Sequence, residues 1–432
     1  MKKVITYGTF DLFHIGHYNI LKRAKQYGDY LIVGVTGENY DAERGKLSVQ
    51  DSLSKRIENV KKTGFADKII VEEYLGQKIS DIIKYDIDTF VIGSDWRGKF
   101  DHLNKYCDVV YLDRTKDISS TQIREQSLNI YKFGIVTDNE YDNGATEEPK
   151  CVSGIHVESV FCENQNIADT FAKKYELDKG YSNYESFLNG LDIVYIKSSI
   201  KRFEYVREAL ACKKHVICDA PISLKECELK ELNMLSEKNG VILLVNVPIL
   251  YLQSFGQLAW MVRGKLIGDI LSIKCSIKKE NMDCFMEKSM LDIAFYPLCM
   301  ITKLLEEEYN RCNYKAIKSD EGNLIYCKFD IEYKDTVAFI EIGSDIPIDE
   351  GIVVIGTEGS ILVPDQWWNL GYFKLKRRGE SKFKRYSYNF DGNGFRYIIQ
   401  SLLHILKNNS KRSQRITWAE QKSILSILKE ID

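Results

Sequence analysis

Residues 3–17 read Lys3-Val4-Ile5-Thr6-Tyr7-Gly8-Thr9-Phe10-Asp11-Leu12-Phe13-His14-Ile15-Gly16-His17. A short run rich in β-branched residues ends at Tyr7, a turn follows Gly8, and an amphipathic stretch begins near Gly16. The pattern predicts a strand, a turn and a helix N-terminus. Two of the six histidines of the chain stand in this turn, three residues apart. Backbone N–H groups and both imidazoles therefore gather at a helix start, where phosphate is favoured. Gly8 and Gly16 let a ligand approach the backbone closely.

Outward from this stretch the same texture recurs. Runs 30–35, 68–72, 89–92 and 109–112 are short and apolar, with amphipathic segments at 17–27 and 51–63 between them. Strands joined by crossover helices predict an α/β unit with a parallel sheet covered on both faces, ending near residue 127. In such sheets ligands bind at the carboxyl ends of the strands, which is where the two histidines fall. A second α/β unit is expected over 131–248, with strands at 132–136, 156–161, 192–197, 214–218 and 240–246. Helical stretches at 164–176, 201–212 and 223–239 separate them. Beyond it the pattern changes: strands at 270–280, 324–332, 335–342, 351–356 and 360–363 follow without intervening helices. Helices at 290–305, 394–408 and 417–430 flank them. A C-terminal α+β domain with a mostly antiparallel sheet is expected over 249–432.

Length and composition set the bounds. The 432 residues allow two or three domains at roughly 100–200 residues each. Sixty Lys and Arg against 62 Asp and Glu give a net charge of −2, which excludes a strongly basic nucleic-acid binder and an acidic disordered chain. No apolar run is long enough to span a membrane, and the N-terminus reads as a first strand and not a signal peptide. The 11 cysteines are scattered, odd in number and without a CxxC pair. Reduced thiols in a cytoplasmic protein are expected, not a disulfide frame or structural zinc.

The turn resembles that of the HxGH nucleotidyltransferases, and within them the glycerol-3-phosphate cytidylyltransferase family. The resemblance spans residues 1 to about 126. It includes Arg44-Gly45-Lys46, Arg56, Gly93-Ser94-Asp95-Trp96-Arg97-Gly98-Lys99-Phe100 and Arg114-Thr115-Lys116-Asp117-Ile118-Ser119-Ser120-Thr121. The last run departs from the family's RTxGIST-T at Asp117 and Ser120, yet keeps Arg114 and the hydroxyl-rich helix start. The resemblance implies a Rossmann-like domain over 1–127 that transfers CMP from CTP, with Mg²⁺, to a polyol phosphate, releasing pyrophosphate, glycerol 3-phosphate being favoured. It implies His14, His17, Lys46 and Arg114 as catalytic residues. Gly8, Thr9, Phe10, Asp11, Gly16, Asp95, Trp96, Thr115, Ser119, Ser120 and Thr121 would line the nucleotide site, and Arg56 and Lys78 the acceptor site. A homodimer and a place in the synthesis of teichoic acid or capsule are implied as well.

The chemistry agrees with these residue types. The second pKa of a phosphate monoester is about 6, so the nucleophilic oxygen is already largely dianionic at neutral pH. No general base is needed; the work is to bring two anions together and stabilise charge on the α-phosphate and the departing pyrophosphate.

Residues 131–432 resemble the Gfo/Idh/MocA oxidoreductases, with a second Rossmann-like domain over 131–248. The matching runs are Lys213-Lys214-His215-Val216-Ile217-Cys218-Asp219-Ala220-Pro221, Met290-Leu291-Asp292-Ile293-Ala294-Phe295-Tyr296-Pro297-Leu298 and Ile355-Gly356-Thr357-Glu358-Gly359-Ser360. Two departures bear on activity. Thr137 and Asn139 stand where the family's dinucleotide glycines belong, with Asp138 and Glu140 adding negative charge. Ala220 stands where the family has its catalytic lysine, and alanine cannot deliver a proton. A degenerate domain is expected, with no NAD(P) and a scaffold, dimerisation or docking role. Asp292 and Tyr296 are then read as a helix N-terminal carboxylate and a packed tyrosine. The competing expectation is a bifunctional enzyme whose second half reduces a keto-sugar phosphate with NAD(P)H.

Overall fold

The computed structural model describes the chain except residues 39, 41–48, 50, 75, 114–129, 280–286, 323, 345, 365, 409–414 and 430–432. The chain divides into two compact units. One is Met1–Ile130 with Lys150–Ile155; the other is Tyr131–Pro149 with His156–Asp432.

In the first unit, strands β1 (Lys3–Gly8), β2 (Tyr30–Thr36), β3 (Lys68–Glu72), β4 (Thr89–Gly93) and β5 (Asp108–Leu112) form a parallel sheet in the order β3-β2-β1-β4-β5. Helices α1 (Ile15–Lys25), α2 (Leu53–Lys62) and α3 (Gln77–Tyr85) connect them. The two-residue period of β1 sends Val4 to one core with Leu21, Val33 and Val60, and Ile5 and Tyr7 to another with Ile82 and Phe90. Both faces are thus buried, as a parallel sheet requires. The strand order reverses between β1 and β4, so the crevice outside their carboxyl ends is the favoured ligand position.

The second unit opens with a parallel sheet, among the described residues, of β6 (Tyr131–Val136), β7 (Ile155–Phe161), β8 (Lys179–Tyr181), β9 (Ile193–Ile196), β10 (His215–Asp219) and β11 (Leu243–Asn246). Their order is β11-β10-β9-β6-β7-β8, with the reversal between β6 and β9. Between β6 and β7 the only described helix is one turn, α4 (Glu147–Lys150). Then follow α5 (Gln165–Lys174), α6 (Tyr184–Leu188), α7 (Arg202–Ala211), α8 (Glu226–Asn239) and α9 (Gln253–Arg263).

A large sheet then takes β12 (Ile270–Lys279), β13 (Arg311–Lys318), β14 (Leu324–Glu332), β15 (Val337–Ser344), β16 (Gly351–Gly356), β17 (Gly359–Val363), β18 (Tyr372–Arg377) and β19 (Lys384–Ser387). It is antiparallel except for the β12–β15 pair. Helices α10 (Glu287–Leu305), α11 (Phe395–Asn408) and α12 (Trp418–Lys429) belong to this part of the chain. α10 starts before Met290, so Asp292 lies inside the helix and not at its N-terminus. No described helix is long and apolar enough to cross a membrane.

Candidate functional site

The turn after β1 is strained where the sequence gives no warning. Phe10 and Leu12 both take positive φ, 53° and 44°, in the left-handed region that costs a side-chain-bearing residue energy. Gly8 is not in that region. A Cβ there would meet the Phe10 ring at 3.0 Å, so the glycine makes room for Phe10. The kinked turn delivers His14 as the N-cap of α1, and its Nδ1 accepts the Gly16 N–H at 3.0 Å. An accepting Nδ1 leaves the ring proton on Nε2, so His14 presents a donor on its far side. The His17 ring stacks on that of His14, centroids 4.0 Å apart, and is walled by Phe10 and Phe13 at 5.5 Å each. Two imidazoles are thus held stacked, their planes inclined by 27°, at a helix N-terminus beside the β1–β4 reversal.

Below the turn lies a buried polar floor. Asp11 accepts the Asp51 N–H at 2.8 Å, and Asp51 pairs with Lys55. The wholly buried Arg56 donates Nη1 to the carbonyls of Thr9 and Thr36 at 2.9 and 2.8 Å, and Nε to that of Asp51 at 3.1 Å. These carbonyls follow β1, end β2 and precede α2, so one guanidinium ties three segments under the site. Arg56 was expected on the acceptor phosphate or the triphosphate; its described bonds go to the main chain. Lys78 stands at the start of α3, on the opposite face of the sheet from α1. It pairs with the buried Glu72 and lies over the rings of Tyr7 and Phe100. Sequence reasoning passed over Asp51 and Glu72; the only signal was a carboxylate just before a helix and one at a strand's end.

Across the crevice, β4 ends in a 3-10 turn, Ser94–Trp96. Trp96 is 40% exposed, packs on Phe100 at 5.8 Å and carries Lys99 over its ring at 5.2 Å. At that exposure the indole is not part of the buried core. The side chain of Asp95 lies outside the described set, as do Lys46, Arg114, Thr115, Ser119, Ser120 and Thr121.

The turn after β6 is built differently. A dinucleotide needs N–H groups at a helix start there. Several of the N–H groups there are instead bonded within the chain. Thr137 Oγ1 accepts from Asn139 N, Asn139 Oδ1 from Tyr141 N, and Asp142 from Gly144 N and Thr146 N. The crossover offers one helical turn in place of a long helix. At the end of β10 the Asp219 carboxylate accepts from Tyr195 at 2.8 Å and Asn246 at 2.7 Å. Burial pushes the Asp219 carboxyl above the usual carboxylate range against those bonds. Burial, and secondarily Asp219, also raises the hydroxyl of Tyr296. Ala220 brings no proton donor to this group. The residues present do not fit NAD(P).

Comparison with known proteins places each unit. The cytidylyltransferase-like family model matches residues 5–126. The model of the oxidoreductase family with an NAD-binding Rossmann fold matches 134–247. The glycerol-3-phosphate cytidylyltransferase of Bacillus spizizenii is 52% identical over 130 residues, 30% of this chain and 100% of that protein. The Staphylococcus aureus enzyme of that name is 43% identical over 29% of this chain and 95% of its own length. A 3-ketoreductase from Actinomadura kijaniata, solved with NADP, superposes with a TM-score of 0.60 at 16% identity, covering 69% of this chain and 96% of its own. That likeness shows the fold of the second unit alone. The chain therefore belongs, through its first 126 residues, to the cytidylyltransferase-like family of nucleotidyltransferases, and carries behind them a domain of the GFO/IDH/MocA oxidoreductase type.

Proposed function

We propose that the first unit transfers CMP from CTP to a polyol phosphate, glycerol 3-phosphate by its likeness to the Bacillus and Staphylococcus enzymes, releasing pyrophosphate. The observation that carries the reading is the pair of stacked imidazoles at the N-terminus of α1. An oxygen of the acceptor phosphate attacks the α-phosphorus of CTP. The bond from that phosphorus to the bridging oxygen of the β-phosphate breaks, and the electron pair leaves with pyrophosphate. No proton has to move. His14, through Nε2–H, and His17 donate hydrogen bonds to the phosphates as charge builds on them. The strained turn and the Arg56 floor fix both rings before substrate arrives, so little reorganisation remains for the reaction.

Mg²⁺ bound with CTP would neutralise part of the charge on its phosphates. Trp96 offers its face to the cytosine, and Lys46, Arg114, Thr115, Ser119, Ser120 and Thr121 complete the phosphate cradle. Arg56 acts as a positioning residue. Lys78 serves the acceptor phosphate from its place beside Glu72. The product feeds synthesis of a cell-surface polyol-phosphate polymer, teichoic acid or capsule, from the cytoplasm, and the chain works as a homodimer. The second unit performs no hydride transfer, since Ala220 replaces the proton donor. The test is pyrophosphate release by the purified chain with Mg²⁺, CTP and a panel of polyol phosphates. Release is expected only with CTP and an acceptor together; none with any pair contradicts the reading.

A further inference from the structure

The strand order of the second unit reverses between β6 and β9, so its ligand crevice lies outside the carboxyl ends of those two strands. The two lips of that crevice are bonded to each other. The Asp138 carboxylate, just past β6, accepts the Ser199 N–H at 2.7 Å and the Ser199 hydroxyl at 3.2 Å. Lys197, just past β9, donates Nζ to the carbonyls of Tyr141 and Asp142.

A third segment, at the start of α11, closes over the same place. Arg396 grips Glu148 through two hydrogen bonds of 2.9 and 2.8 Å, both side chains buried. Asn393 Nδ2 donates to the Asn143 carbonyl at 2.9 Å. The Phe395 ring lies 4.3 Å from that of Tyr195 on β9. Two glycines make the fit possible. Gly144 and Gly392 have φ of +84° and +81°, and a Cβ on either would run into Asn393 or Glu148.

We propose that the chain has put its own groups where a dinucleotide would bind. The carboxylates of Asp138 and Glu148 take the N–H and guanidinium donors that a pyrophosphate would otherwise engage. Segment 391–396 fills the mouth of the crevice. The second unit is therefore complete without a nucleotide and binds no dinucleotide at all. This rests on the reading of the unit as non-redox and sharpens it, since loss of a catalytic lysine alone would leave cofactor binding intact.

The test uses the full-length chain. NADH and NADPH are titrated to millimolar concentration by calorimetry, with absorbance at 340 nm followed in the presence of keto-sugar phosphates. Neither binding heat nor oxidation is expected. Binding without oxidation overturns the sealed crevice and leaves the non-redox reading standing; binding with oxidation overturns both. The latch is tested separately by thermal unfolding. Glu148→Gln and Arg396→Met are each expected to lower the Tm by several degrees, and unchanged Tm in both overturns the latch. If either variant fails to fold, Asp138→Ala, at the rim, is expected to give a smaller fall, and the wild-type titration decides the proposal by itself.

Discussion

The chain contains two turns with the same address. Each follows the first strand of a parallel sheet, and each stands where the strand order reverses. After β1 the chain is bent through two left-handed residues and sends His14 and His17 to the mouth of the crevice. After β6 it folds back on itself: Thr137, Asn139 and Asp142 take several of the turn's own N–H groups, and Asp138 takes that of Ser199 past β9. The sheet provides the place for a site; the donors left pointing outward decide whether one exists. A likeness of fold to ketoreductases therefore carries less weight here than the hydrogen bonds made at the turn itself.

Breaking the first turn should have the largest effect. His17→Ala removes one transition-state donor and is expected to lower kcat by about 10²-fold or more, on the order of 2.7 kcal/mol, in a pyrophosphate-release assay. Near-wild-type turnover in a folded variant would take the reaction away from this turn. Next comes the floor beneath it. Arg56→Lys leaves at least one buried carbonyl among Thr9, Thr36 and Asp51 without its donor and should cost about 1–3 kcal/mol in denaturant unfolding of the first unit. Unaltered stability with weakened CTP binding would place the guanidinium on the nucleotide and not under it.

A smaller effect concerns pH in the second unit. His215 accepts the Ile242 N–H through Nδ1 at 3.1 Å, and burial holds its pKa below the ordinary histidine value. The folded pKa is depressed, so this contribution is whole above about pH 6.5 and is lost as pH falls through the folded value. Thermal unfolding should weaken over that acid range, and His215→Gln should flatten the fall; an identical slope in the variant would assign it elsewhere. The smallest expected effect is none. Ala220→Lys restores the family's lysine, and NADPH oxidation should stay absent because the crevice remains closed. Activity gained from that one change would show the second turn to be open.

The sequence made the parallel sheets, apart from the three-residue β8, and the His14–His17 turn legible because buried strands and a helix start leave strong local patterns. Three strands of the large sheet, β13, β18 and β19, are not legible in this way. Lys and Arg crowd them, a composition that protects strands near a sheet's edges and hides them from a hydrophobicity reading. Thr137 and Asn139 in place of the family's glycines predict a lost dinucleotide site, but they give no hint of what would occupy the crevice. Glu148 and Arg396 are 248 residues apart, and no local pattern announces such a pair. For the same reason Arg56 looked like a phosphate ligand: two of its three carbonyl partners, Thr9 and Thr36, come from distant strand ends.

The most direct test compares the two turns in one sample: calorimetric titration of the full-length chain with Mg²⁺–CTP and, in parallel, with NADPH. Saturable binding of CTP, with no heat from NADPH, is the expected result. Saturable binding of NADPH, or none of CTP, would contradict the assignment of an active first turn and a sealed second one.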